Sequence, residues 1–253
     1  ESAFKLCDSV FKLISLLCQK LFPCGNGAVS LVKKTHVFNE NLNRQLYRII
    51  FLLCCEAGMI LQYIDSLRRG NADTLLYYYT VQSGILCFLY FFFLAVFSPK
   101  KEKAVIRGAV TMCIAVTAIA YLFMPNGAKE AAASDKAFYT GYILMHYIVP
   151  LMVILDYLLF FPKGMYKALH PLCWLILPYL YIAFTMICAK FGGKIFSGFG
   201  GSSRYPYPFL DTDLYGKNKV ALIIVFITAA FLALGYLSFV IDRLLGKSGK
   251  KLK

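Results

Sequence analysis

Charge is scarce in this chain. Of its 253 residues only 16% are Asp, Glu, Lys or Arg, against 59% hydrophobic. Soluble domains average roughly 25% charged and about 45–50% apolar residues, so the deficit excludes an ordinary water-soluble domain and points to lipid as the solvent. Acidic residues are the scarcer sign, 13 against 27 Lys and Arg. A net charge of +14 suits a nucleic-acid binder only where the basic residues share one polar surface. Here they lie between long apolar runs, and no nucleic-acid partner is expected. Disorder requires low hydrophobicity, which 22 Phe and 18 Tyr exclude. C-x-x-C spacing is missing as well. The nine cysteines are odd in number and irregular in spacing, against a disulfide framework or a zinc site, and they read mostly as small buried hydrophobes. No metal, haem, flavin or nucleotide motif occurs, so no cofactor is expected.

What is present is a set of apolar runs. A transmembrane helix needs about 20 mostly apolar residues, and six segments qualify: 46–64, 75–97, 104–124, 138–161, 171–189 and 220–241. The expected fold is an all-α membrane protein, a six-transmembrane-helix bundle over 46–242. Turn residues punctuate the connections, as in Arg68-Arg69-Gly70-Asn71, Ser98-Pro99, Pro125-Asn126-Gly127 and Pro162-Lys163-Gly164. Positive charge collects on the cytoplasmic side. With both termini and the second and fourth connections on one side, that side holds 18 of the Lys and Arg and the other holds 9. Both termini are therefore expected in the cytoplasm, in the plasma membrane or the endoplasmic reticulum according to the organism.

Segment 1–45 reads as an N-terminal amphipathic interfacial helix and linker. Lys5, Asp8, Lys12, Ser15 and Gln19 recur every three or four positions opposite Phe4, Val10, Phe11, Ile14, Leu17 and Leu21. Such a helix lies in the membrane interface. A signal peptide is the alternative, but charges interrupt the apolar stretch and no small-residue cleavage site follows. The basic tail 243–253 ends in Lys250-Lys251-Leu252-Lys253. It fits either a dilysine retrieval signal or a headgroup-binding tail.

An ionisable group at a span centre costs about 2.5–3.5 kcal/mol on insertion scales, so each one kept there asks for a reason. Glu56, His146 and Asp156 stand out. Glu56 is expected to face the bundle interior of span one. His146 can take and return a proton near neutral pH, and Pro150, one turn later, frees the carbonyl of position 146 and is expected to kink the span. Asp156 lies ten residues on, about 15 Å along the helix. It is expected to be structural. Span two carries Thr80, Ser83, Gly84 and Cys87 at i, i+3, i+4 and i+7, one face of small, weakly polar residues. Such a face serves either close helix packing or a nucleophile, and Thr80 lies near the depth of His146.

The run His146-Tyr147-Ile148-Val149-Pro150 with Asp156-Tyr157, the loop Tyr205-Pro206-Tyr207-Pro208-Phe209-Leu210-Asp211 with the later Gly216, and Tyr79-Thr80-Val81-Gln82-Ser83 occur in that family's order in resembling the androgen-induced membrane hydrolases and their six-span prokaryotic relatives. The resemblance spans about 46–242, and its most specific part is the Tyr-Pro-Phe-Leu-acidic loop. It implies an intramembrane hydrolase of lipid esters, such as fatty-acid esters of hydroxy fatty acids, with Thr80 as nucleophile and His146 as base. The implied pocket and oxyanion candidates are Gln82, Ser83, Tyr139, Tyr142, Tyr205, Tyr207, Phe209 and Asp211, with the loop 191–219 as a cover. Membrane lipids and a lipid-ester substrate are the implied partners. The competing reading is a non-enzymatic lipid-binding or transport module, or an accessory subunit docking a membrane-protein partner through 1–45.

Overall fold

The computed structural model describes residues 31–99, 101–122, 136–198 and 201–251. The interfacial helix expected over 1–22 and the last two residues lie outside them. The first described helix, α1 (Leu31–Arg68), begins well ahead of position 46. No glycine or proline occurs between 31 and 57 to break it, so the polar stretch expected as linker joins the apolar run. A short 3-10 turn (Ala72–Tyr77) leads into α2 (Tyr79–Phe97). It stops at left-handed Ser98, where Pro99 follows and cannot continue a helix. Next come α3 (Ala104–Leu122), α4 (Lys136–Ile143), a π turn (Leu144–Ile148) and α5 (Val149–Phe160). Phe161 is extended, as the residue before Pro162 must be. Then follow α6 (His170–Trp174), α7 (Ile176–Phe191), the strands β1 (Phe196–Gly198) and β2 (Gly201–Ser203), the short α8 (Thr212–Tyr215) and the long α9 (Lys217–Lys251). The tail expected from 243 is therefore helical up to Lys251.

Five helical segments are long and apolar enough to cross a membrane: Asn41–Arg68, Tyr79–Phe97, Phe138–Phe160, His170–Phe191 and Lys217–Lys247. The chain is a mostly helical, multi-pass membrane protein. Within the described residues the apolar part of α3, Ala104–Ile119, is shorter than these five, where a sixth span was expected.

One end of the bundle is organised by charge. Arg107 and Asp156 have no solvent exposure, and Arg107 Nη2 donates to Asp156 Oδ2. Arg48 Nη2 reaches Glu102 Oε1 at 2.5 Å, its Nε lies 3.5 Å from Asp156 Oδ1, and Arg107 Nη1 lies 3.5 Å from Glu102 Oε2. Tyr90 adds a 3.2 Å hydrogen bond to Glu102. The quartet ties α1, α3, α5 and the α2–α3 connection together with no net charge. Beside it, Asp242 of α9 accepts from the Tyr157 hydroxyl at 2.6 Å and the Tyr166 amide at 2.8 Å. Met112, Tyr157, Phe161, Tyr166, Trp174 and Phe231 form the apolar cluster next to these groups. Gly108 lets Trp174 lie flat on α3, because a Cβ there would overlap the indole. The indole Nε1 donates to the Val105 carbonyl at 2.9 Å.

Glu56 departs from expectation. It is exposed, while Arg48, Phe51, Cys55 and Gly58, the residues around it on the other side of the helix, are buried. A helix advances 100° per residue, so the face through Phe51, Cys55 and Gly58 turns position 56 outward. The described cysteines are all free, three of them buried, with Cys173 exposed.

Removing one partner of a buried pair leaves an uncompensated charge, which costs about 3–5 kcal/mol. Arg107→Met and Asp156→Leu are each expected to lose that much in thermal unfolding followed by circular dichroism in detergent. The double variant, which leaves the Arg48–Glu102 pair balanced, is expected to recover most of it. Losses in the double variant equal to the sum of the singles would show that the two groups are not coupled.

Candidate functional site

The opposite end of the bundle is organised by tyrosine, histidine and small hydroxyls. Pro150 has no amide to donate, and the helix before it relaxes into the π turn, in which the Val149 amide reaches back to the Leu144 carbonyl. Such turns are frequent at functional sites. His146 sits inside it, 3% exposed. Its Nδ1 lies 2.9 Å from the Tyr142 carbonyl oxygen. A carbonyl only accepts, so Nδ1 carries the proton and Nε2 presents a lone pair. That Nε2 is buried and, among the described residues, has no hydrogen-bond partner. The ring packs on Tyr121 and Tyr142, with centroids 3.7 and 4.6 Å away.

Thr80 is buried in the first turn of α2. Gly84, one turn further along the same face, admits Met145: a Cβ there would come within 2.5 Å of the methionine methyl carbon. The face of α2 that carries Thr80 is therefore the one turned to the helix of His146. No hydrogen bond joins the two side chains. Ser83 bonds the Thr80 carbonyl and the Thr117 hydroxyl, both at 3.1 Å, which places it in the α2–α3 contact. Gln82 donates to the Leu76 carbonyl at 2.9 Å. Tyr142 is buried against the imidazole, and Tyr139 is half-buried one turn before it. Asp156 belongs to the charged end and has no contact with the histidine.

A cavity of about 350 Å³ opens between α2, α3 and α7, lined by Tyr79, Gln82, Ser83, Leu86, Cys113, Leu177, Leu180, Tyr181 and Phe184. Two expected pocket residues, Gln82 and Ser83, thus share a space with apolar side chains able to hold an acyl chain. Thr80 and His146 are not among its lining residues.

The loop after α7 folds into a defined cap. Strands β1 and β2 pair antiparallel, Phe196 opposite Ser203. Asp211 is the N-cap of α8, its Oδ1 accepting from the amides of Asp213 at 2.8 Å and Leu214 at 3.0 Å, and its Oδ2 accepting from the Ser203 hydroxyl at 2.6 Å. Both carboxylate oxygens are taken, so Asp211 holds the loop instead of lining a pocket. Tyr205 bonds the Thr212 hydroxyl at 2.8 Å and packs with Ala189 and Leu210. Phe209 stacks on Tyr207. Tyr207 packs edge-on against Tyr78 and Tyr181, and its phenolic oxygen faces the amides of Tyr79 and Thr80. Those amides belong to the first turn of α2 and lack helical acceptors. The loop thus packs on the start of α2 through Tyr78. Phe196 covers Tyr77 and Tyr78, and an exposed pair, Lys194 with Asp73 at 2.5 Å, closes the edge.

Tyr121 and Thr117 were missed from sequence, and so were Arg48, Glu102, Arg107 and Asp242. Arg48 and Arg107 fall within the limits of expected spans, and that was the signal. A buried Asp156 needs a cation at its own depth.

The chain matches no protein-family model, no curated protein and no solved structure.

Burial pushes the Asp211 carboxyl up, but the bonds from Ser203, Leu214 and Asp213 outweigh it and hold the group below the ordinary carboxylate range. Its contribution is therefore present above the unfolded value of about 3.9 and is lost as pH falls through its own lower value. Limited proteolysis of the loop is expected to accelerate only in that acid window. Asp211→Ala, losing a cap of about 0.5–2 kcal/mol, is expected to be cut faster at neutral pH and to lack the acid step. An unchanged step in Asp211→Ala would assign it to another group.

Proposed function

We propose that the chain is an intramembrane hydrolase of lipid esters in which His146 is the base and Thr80 the nucleophile. The observation that supports the reading is the buried His146 Nε2, a lone pair of fixed tautomer with no hydrogen-bond partner among the described residues, on the helix that Thr80's face of α2 is packed against. Buried polar side-chain atoms are as a rule hydrogen-bonded, so an orphaned acceptor at this place supports a role in chemistry.

Nε2 takes the Thr80 hydroxyl proton as Oγ1 attacks the ester carbonyl carbon. The resulting imidazolium returns that proton to the departing alcohol oxygen, leaving an acyl-threonine. Water, deprotonated by the same nitrogen, then attacks the acyl carbon, the bond between that carbon and Oγ1 breaks, and the imidazolium returns its proton to Oγ1 as the acid is released. Threonine needs this base because its free hydroxyl is a weak nucleophile. The apolar cavity beside Gln82 and Ser83 supports an acyl chain as the bound group, and the closeness of Tyr142 to the imidazole supports a phenol as oxyanion donor. In this reading the cap over Tyr77 to Tyr79 limits entry of water to the site. Fatty-acid esters of hydroxy fatty acids are the substrate class taken from the family resemblance.

The proposal includes six spans, with α3 as the third, both termini in the cytoplasm and 1–22 lying in the interface. The charged quartet then stands toward the cytoplasmic face and the tyrosine end toward the outer or lumenal face. A second, non-enzymatic reading rests on the separation of the cavity from Thr80 and His146, which suits a module that binds a lipid chain without cleaving it.

A fluorophosphonate ester probe on the purified protein separates the two. Wild type is expected to be labelled, Thr80→Ala to be unlabelled, and His146→Ala to react about 10²–10⁴-fold more slowly. Labelling that persists in Thr80→Ala would remove the nucleophile, and an inert wild type would favour the lipid-binding module.

A further inference from the structure

Helix α1 has two faces with different duties. Arg48, Phe51, Cys55 and Gly58 turn inward, where Phe51 meets Phe91 with ring centroids 4.2 Å apart, Cys55 meets the Gly84 carbonyl at 3.8 Å and Gly58 is overlaid by Met145. On the other side stand Ile49, Leu53, Glu56, Ile60, Tyr63 and Leu67, spaced alternately by four and three residues. The five apolar members are between 49% and 61% exposed. Alternating four and three is the repeat of a helix that packs along its length on another helix. Five of the six positions are what such a seam requires, and the sixth is a carboxyl near the middle of a membrane span. Among the described residues no hydrogen bond or ion pair reaches Glu56.

Lipid cannot satisfy that group. Other carboxylates in the hydrophobic part of the molecule, Asp156 and Asp242, are fully buried and paired. Glu56 is left for a partner at the same depth, and the seam specifies what that partner is. Identical chains insert in a membrane with the same orientation, because the same basic loops set it. Two copies therefore present α1 in parallel and at equal depth, and a two-fold axis along the seam brings each residue against its own counterpart. A protonated carboxyl has one donor and an acceptor, so two glutamates facing each other satisfy one another, which two lysines or two arginines cannot do. A single polar residue in an otherwise apolar seam also sets the register and the number of strands.

We propose that the exposed face of α1 is a homodimer interface, with Glu56 of one copy hydrogen-bonded to Glu56 of a second copy within the membrane. The inference is independent of the proposed hydrolase, since Glu56 is on the face of α1 turned away from Met145 and the rest of the bundle.

The test uses full-length protein carrying donor or acceptor fluorophores, co-reconstituted in phosphatidylcholine vesicles over a range of protein-to-lipid ratios. Wild type is expected to show energy transfer that saturates as a dimer. Glu56→Gln keeps a donor and an acceptor and is expected to associate like wild type. Glu56→Lys places like charges opposite each other and is expected to weaken association by about tenfold or more, with an unchanged thermal unfolding profile. Mixing Glu56→Lys with wild type pairs Lys with Glu and is expected to restore transfer, which a misfolded variant could not do. Wild type that stays monomeric at every ratio would overturn the proposal and leave the seam to a different helix. So would a Glu56→Lys protein that associates as wild type does, or a mixture no more associated than Glu56→Lys alone.

Discussion

Two opposite charges, Arg107 and Asp156, are held together without solvent at one end of the bundle, and the surrounding helices are arranged by that necessity. Neither charge is tolerable alone in a low-dielectric interior. Once paired, their remaining valences recruit Arg48 from α1 and Glu102 from the connection before α3. The result is a neutral four-residue knot among three helices and one loop. Helices that only exclude lipid from one another can slide and rotate, because lipid tails are as apolar as leucine. A knot of directional bonds removes that freedom. Asp242 extends the same device to α9, where it grips Tyr157 and the backbone of Tyr166.

The other end of the bundle works on different terms. Its ion pairs among the described residues, Asp65–Arg69 at the end of α1, Lys194–Asp73 and Arg204–Asp213 at the rim of the cap, lie at the periphery. Position there is set by aromatic rings, by amides freed at helix starts, and by the break at Pro150. The π turn is a local defect with a global consequence: it rotates the residues before it relative to those after it. His146 can then face Tyr121 and Tyr142 while Asp156, on the same long span, faces Arg107. One helix thus serves a rigid end and a chemically open end.

The helices were legible because length and apolarity need no tertiary information. Tyr79–Phe97 and the apolar part of the final helix fall on runs visible by inspection, although the final helix runs on to Lys251, and Ser98-Pro99 and Phe161-Pro162 mark the ends of α2 and α5 by local sterics. The direction in which a residue points was less legible. Glu56 was expected to face inward on the rule that charge avoids lipid, yet the buried face of α1 is set by Phe51, Cys55 and Gly58, and the carboxyl follows from their geometry. Arg107 stands three residues inside α3, where its position alone does not tell whether it faces the loop or the core. Its burial depends on Asp156, almost fifty positions away, and single-sequence periodicity carries no such long-range information. In the loop after α7 the motif residues were recognised together, but the division of labour was not: Asp211 secures the turn, whereas Tyr207 reaches the start of α2.

Trp174 is the sole tryptophan of the chain, with no solvent exposure. Because its indole rests on Gly108, next to Arg107, and is bonded to the Val105 carbonyl, its environment is inseparable from the start of α3. Selective indole excitation therefore observes a single place in the molecule without any label. A blue-shifted emission reports that α3 is seated on α6. A red shift reports water at the junction, so loosening of the charged end can be followed optically while the tyrosine end goes unseen.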